Sequence, residues 1–310
     1  MAPVSGGAPC RTEALPWLSP DNPDDRRRLD GWCLGVGPPA IRAAARESAS
    51  QHAGVEDITF ISWNVHVGNG NVRAFVTDLR AGVHTPKRRI GHFVLLLQEA
   101  VRSENVPAFL DAASGAARIS SASDSSADIV RISEDLGLSL IYVPSMRNGR
   151  ALSEPPADRG SAILSTLPLS QPTAVELPGE RQRRVAIFAK AGSTSVGVIH
   201  LDAFGASRRL WVFWTPWMRA RQVRSLGSVL PDGPLVLGAD LNTWHGIDER
   251  AARTLNSLPE STPVTLDREG LGLRVLDYLV FRAGANRRAH SRQLGQSYGS
   301  DHRPLIGWIE

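Results

Sequence analysis

The sequence predicts an α/β (α+β) fold in which two packed β-sheets are flanked by helices. Three observations predict it. Short apolar runs rich in β-branched and aromatic residues recur from Ile58 to Ile309. Helical stretches intervene only in places, which argues against a simple βαβ repeat. Several apolar runs end in a carboxylate, an amide or an imidazole, so polar chemistry gathers at strand ends. The chain has 310 residues, 42% of them hydrophobic. That is enough for one large domain with a substantial core and an N-terminal extension.

Residues 1–55 form the extension and 56–310 the main domain. The extension is rich in Pro, Gly, Ala and Arg and reads as ordered, with little chemistry of its own. Asp21 or Asn22 ahead of Pro23 marks a helix start, with Asp24–Arg28 as a solvated helix face. Ile41–Ala49 reads as a short helix. Strands are expected at Ile58–Trp63, His92–Gln98, Leu140–Val143, Ser161–Leu164, Val185–Ala189, Val196–His200, Leu235–Leu237, Val275–Phe281 and Leu305–Ile309. Helices are expected at Val72–Ala81, Pro107–Ala113, Ile129–Leu136, Met218–Val229 and Asp248–Leu258. Ser114–Asp128, rich in Ser, Ala and Asp, reads as a mobile loop, and Met146–Arg159 as a second long loop. No repeat at solenoid period is present.

The longest clear apolar run, Phe93–Leu97, is far too short to span a bilayer. The first residues show neither a basic nor an apolar signal region, so a cytoplasmic location is expected. Cys10 and Cys33 lack a metal-ligand spacing and read first as free thiols in a reducing compartment, with a disulfide tying down the extension as the alternative. The net charge is +4, and of 35 basic residues only Lys87 and Lys190 are lysine. Arginine grips phosphate through a bidentate fork, so the balance permits an anionic partner without requiring one.

Six polar clusters carry the chemistry. Trp63-Asn64 and Gln98-Glu99 each end an apolar run. Asn64 supplies an amide; Glu99, at the end of a strand apolar on both faces, either caps a turn or binds a hard cation. His200 ends Val196–His200, where a structural histidine is the commoner finding. In Gly238-Ala239-Asp240-Leu241-Asn242, residues two apart in extended backbone face one side. Asp240 can then orient a water while Asn242 steadies developing negative charge. Asp277 sits inside an apolar run and needs a partner, because an unpaired buried carboxylate is costly. Asp301-His302 lies a turn ahead of the last strand. Arg208–Trp217 places three Trp among Arg, and packing of the next helix is favoured over base stacking or a lipid interface.

Together with Gly160–Ser165, Ile199–Leu201 and Arg221-Gln222, these pieces resemble the endonuclease/exonuclease/phosphatase (DNase I-like) family of metal-dependent phosphoesterases, from about residue 57 to the C-terminus. The resemblance implies a four-layer α/β/β/α sandwich with the site where strand ends of both sheets meet. It implies that Glu99, Asn64 and Asp301 hold Mg²⁺ or Mn²⁺. Asp240 would activate water and Asn242 stabilise the transition state. His302, oriented by Asp277, and His200 would bind the scissile phosphate. Arg159 and His66 are expected on the substrate side. The substrate would be a phosphate ester, nucleic acid first, with a lipid or small-molecule ester as the alternative and no protein partner implied. A non-catalytic binding module is the competing class. Ala239 and Leu241 depart from the family's usual Gly-Asp-Phe-Asn, a change expected to touch packing more than chemistry.

Overall fold

The computed structural model describes residues 1–4, 10–44, 53–85, 90–107, 127–148, 156–203, 211–257, 261–262, 276–284 and 286–310. Among them, two mixed sheets face each other. The first runs, in spatial order, β1 (Ala2–Val4), β2 (Trp17–Ser19), β8 (Leu169–Leu177), β9 (Arg184–Ala191), β10 (Thr194–His200), β11 (Leu235–Asp240), β13 (Asp277–Arg282) and β12 (Ser261–Thr262). The second runs β14 (Ala289–Gln293), β15 (Leu305–Ile309), β4 (Ile58–Asn64), β5 (His92–Arg102), β7 (Ala157–Ser165), β6 (Ser139–Asn148) and β3 (Ala40–Arg42).

The central strands are buried along their length, as near-continuous apolar runs require. Phe60, Val94, Leu96, Ile141 and Ile163 of one sheet meet Ile187, Val196, Val198, Val236, Leu279 and Phe281 of the other. Each such side chain stabilises by roughly 1.5–3 kcal/mol relative to exposure. Gly238 sits where the two sheets come close. A Cβ there would lie 2.6 Å from Leu96 Cβ.

Helices cover both outer faces, so the layers are α/β/β/α. Helix α2 (Val72–Arg80) is capped by Asn71, which accepts from the Ala74 amide, and buries Val72, Phe75, Val76 and Leu79. That is the i, i+3, i+4, i+7 stripe of an amphipathic helix. Helix α3 (Ile129–Leu136) spans the residues expected of it. Asp128 accepts from the Val130 and Arg131 amides, and Gly137 ends the helix at φ 65°. Both pack on the second sheet. Helices α4 (Trp211–Gly227) and α5 (Arg250–Asn256) pack on the first.

Several expectations are corrected. Cys10 and Cys33 form a disulfide, not two free thiols. The argument for a reducing compartment therefore loses its basis. Ala40–Arg42 pairs with Leu140–Tyr142 as a strand, so no helix begins at Ile41; residues 45–49 lie outside the described residues. The Met146–Arg159 loop shrinks because strand pairing continues to Asn148↔Ala157. Two of its polar residues have ordered partners there: Asp158 takes Arg102 and Tyr142, and Arg147 donates to the Pro107 carbonyl. Helix α4 begins at Trp211, seven residues before the expected Met218, and contains Pro216. Asp25 is not on a solvated face. It is buried and paired with Arg28 and Arg221. Trp217 is 42% exposed, with the Arg221 guanidinium 6.0 Å from its ring, rather than in the core. The side chains of Trp211 and Trp214, and residues 108–126, which hold nearly all of the helix expected from Pro107 and the loop expected from Ser114, lie outside the described residues.

The described residues of the first 44 are tied into both sheets. Helix α1 (Pro23–Cys33) is capped by Asn22, which accepts from the Asp24 and Asp25 amides. Glu176 of β8, fully buried, accepts from Ser19, Arg11 and Arg183. Burial alone would raise the Glu176 pKa; Arg183 and Arg11 outweigh it and hold it below the ordinary value. Among the described residues, no helix is long and apolar enough to cross a membrane.

Candidate active site

Strand register assembles the site. His200, Asp240 and Asp277 sit opposite one another across β10, β11 and β13. Three neighbouring strands thus present an imidazole and two carboxylates in one row, with strand spacing of about 4.8 Å. On the facing sheet, β4 ends at Asn64, whose Nδ2 donates to Asp240 Oδ2 at 2.8 Å. One hydrogen bond therefore joins the two sheets at their polar ends.

His302 arrives from the last loop. Its Nδ1 lies 2.5 Å from Asp277 Oδ2. The loop is stapled to β4: Ser300 Oγ donates to the Asn64 carbonyl at 2.7 Å, and Trp63 Nε1 donates to the His302 carbonyl at 3.1 Å. Gly299 turns at φ 93°, where a Cβ would lie 2.9 Å from the Asn69 carbonyl oxygen. Asp301 is on the open side, its Oδ1 3.2 Å from His66 Nδ1.

The two histidines are electrostatic opposites. Burial alone would lower the His302 pKa. Asp277 foremost, then Asp240 and Asp301, outweigh burial and raise it to about 10, so the ring is a cation at neutral pH. His200 is pushed well below its ordinary value, chiefly by burial and then by Arg184, Arg159 and His302. Arg184 Nη1 lies 3.0 Å from His200 Nδ1. A guanidinium only donates, so the neutral ring carries its proton on Nε2, which faces Asp240 Oδ2 at 3.5 Å. Burial, with the neighbouring Asp277 charge next, raises Asp240 to about 7, against the pull of His302 and Asn64.

Asn242 does not follow the extended geometry expected of it. Strand β11 ends at Asp240, and Asn242 adopts φ 51°. Its amide N–H bonds back to Asp240 Oδ1 at 2.9 Å and its Nδ2 donates to the Leu201 carbonyl. The side chain stays beside Asp240 through a turn rather than a shared strand face. Ala239 and Leu241 pack in the apolar layer beneath α4 and α5.

Glu99 sits in a bulge. The β5–β7 register slips between Leu97 and Ala100, and Glu99 adopts φ 55°. The bulge breaks the alternation and re-aims a carboxylate that regular pairing would place otherwise. Segment 64–67 then joins the three oxygen-bearing residues. The His66 amide donates to Asn64 Oδ1, the Val67 amide to Glu99 Oε2, and the His66 ring meets Asp301. Asn64, Glu99 and Asp301 each offer oxygen, the donor type a hard divalent cation prefers. Asp240, Asp277 and His302 also lie within 4.8 Å of one another, close enough for a metal.

Arg159 is buried on the face of β7 toward the other sheet, two residues from Ser161, whose Oγ donates to Val185 of β9. Its Nε and Nη1 have no hydrogen-bond partner. Sequence reasoning missed Arg184, which holds both His200 and, through Nε at 3.4 Å, Asp202. It also missed Ser300 as the staple. The one signal for Arg184 was a charge opening an apolar strand.

A family model described as Endonuclease/Exonuclease/phosphatase family matches residues 61–302. No curated protein matches the chain. Among solved structures, an endonuclease/exonuclease/phosphatase family protein from Leptotrichia buccalis is 14% identical over 82% of this chain and 99% of its own, with a TM-score of 0.51. The 3' phosphatase NExo from Neisseria, bound to product DNA hairpin, is 16% identical over 81% and 99%, with a TM-score of 0.50. The human Nocturnin catalytic domain with bound sulfate is 15% identical over 82% and 93%, at 0.49. At these identities the likeness speaks to fold alone. With a family match spanning most of the sequence, the chain belongs to the endonuclease/exonuclease/phosphatase family.

Proposed function

We propose that this protein is a Mg²⁺- or Mn²⁺-dependent phosphoesterase that directs water at phosphorus, and that its substrate is a nucleic acid. The observation that carries the reading is the row of His200, Asp240 and Asp277 with His302 locked to Asp277 at 2.5 Å. Glu99, Asn64 and Asp301 would hold the cation. When bound, it would supply Lewis-acid stabilisation of the charge gathering on the phosphoryl oxygens.

The remaining roles follow from protonation. Asp240, near 7, can take a proton from water at neutral pH. Asn64 fixes the orientation of its carboxylate. His302 presents a positive ring to a phosphoryl oxygen, and Asp277 keeps it charged. His200 offers a neutral Nε2–H donor. The Asn242 amide donates beside Asp240, and Arg159 and His66 face the substrate. Fixed donors around developing charge are the main need of displacement at phosphorus.

The nucleic-acid part rests on the Arg-dominated charge. Exposed Trp217 supports a second reading, a lipid phosphoester. A panel of supercoiled plasmid, single-stranded DNA, RNA, sphingomyelin and inositol phosphates, each with Mg²⁺, Mn²⁺ or EDTA, separates them. Metal-dependent cleavage of the nucleic acids supports the proposal. Turnover confined to sphingomyelin transfers it to the second reading.

A further inference from the structure

We propose that Arg159 and Asn148 form a second anion subsite, which takes a phosphate neighbouring the one that is cleaved. The inference rests on the phosphoesterase reading above. Asn148, at the end of β6, is 2% exposed, and both atoms of its amide lack a hydrogen-bond partner. Arg159 is equally buried, with Nε and Nη1 unpartnered. Buried amides and guanidinium N–H groups are almost always bonded, so orphans of both kinds in one place need a reason.

They are in one place. Met146 pairs with Arg159, and Asn148 with Ala157. Residues opposite in a ladder share a face, and so do residues two apart on one strand. Asn148 and Arg159 therefore project from the same side of the β6–β7 ribbon. Ala157 packs with Val67 and Val101, and the Val67 amide bonds Glu99, so this side borders the proposed cation ligands. Asn148 stands two residues further out than Arg159, about 7 Å along the strand.

The neighbouring cation, Arg184, does not compete for this role. Its three nitrogens already serve Asp202, His200 and Gln182. Arg159 is the nearby guanidinium with donors to spare. A planar N–H fork and an amide N–H₂, both desolvated, match the oxygens of a phosphate better than any neutral group. The resulting substrate class is a phosphoester with a second phosphate adjacent to the scissile one. An oligonucleotide or an inositol polyphosphate would each provide it.

The test compares kcat/KM for the dinucleotide pTpT against TpT, and for inositol 1,4-bisphosphate against inositol 1-phosphate, using the full chain. Calorimetric titration with inorganic pyrophosphate in EDTA runs alongside. Wild type should favour one two-phosphate substrate by at least tenfold, and that pair names the source. In N148A and R159K the preference should fall about tenfold, and pyrophosphate should bind about tenfold more weakly. Melting curves check that both variants fold. The subsite is overturned if wild type shows no preference, or if the variants slow both members of a pair equally and bind pyrophosphate as wild type does. If no ester is turned over yet pyrophosphate binding is weakened in N148A and R159K, the hydrolase reading falls and the subsite stands.

Discussion

His302 shows how one contact sets a residue's chemistry. Asp277 holds it at about 10, so the ring keeps its charge through neutral pH. The sign follows directly: this ion pair stabilises the fold fully below the ordinary histidine value, about 6.5, and is lost as pH rises toward 10. Replacing Asp277 with Asn should return His302 toward its ordinary titration, seen as an earlier shift of its ring protons by NMR. Turnover should fall by about 10²–10³-fold, and its alkaline limb should move to lower pH. A D277N ring that still titrates near 10 would contradict the assignment. The residues alone asked only for a partner to the buried Asp277; that the partner is His302 came from the family resemblance. Neither suggested Arg184, whose link to His200 spans two strands and leaves no local spacing to read.

At the scale of elements, legibility followed periodicity. Helix α3 was readable to the residue because Asp128 caps it and Gly137 ends it. The outer ends of β6 and β7 were not. Polar residues such as Arg147 and Asp158 resemble a loop unless their partners are known, and those partners, Pro107 and Arg102, lie far away in sequence. The bulge at Glu99 was equally hidden, since register is a property of two strands. The close approach of the sheets rests on Gly238 and gives a direct test. In G238A the new Cβ meets Leu96 at 2.6 Å. Overpacking of this kind costs about 1–3 kcal/mol, so the variant should unfold at lower denaturant with an unchanged m-value. Wild-type stability would show that the sheets can part without strain.

For the whole molecule, the N-terminal segment is fastened by covalent and ionic means. The Cys10–Cys33 disulfide closes a loop across a separation of 23 residues. Loop-closure entropy for that length makes C10S less stable by about 3 kcal/mol, measurable by denaturant unfolding and reproduced by dithiothreitol. Glu176 has a depressed folded pKa, so its contribution is present above the unfolded value and lost as pH falls through the folded one. The variant E176Q should flatten the acid limb of the stability curve; an unchanged limb would remove Glu176 from it. The central claim, however, concerns chemistry at the two sheet ends. Its most direct measurement is hydrolysis of bis-p-nitrophenyl phosphate by wild type, D240A and H302A, each with Mg²⁺ and with EDTA. Wild type should turn over with Mg²⁺ and stop in EDTA, and each variant should lose at least about 10²-fold. Wild type without metal-dependent turnover, or D240A and H302A at the wild-type rate, would contradict the account.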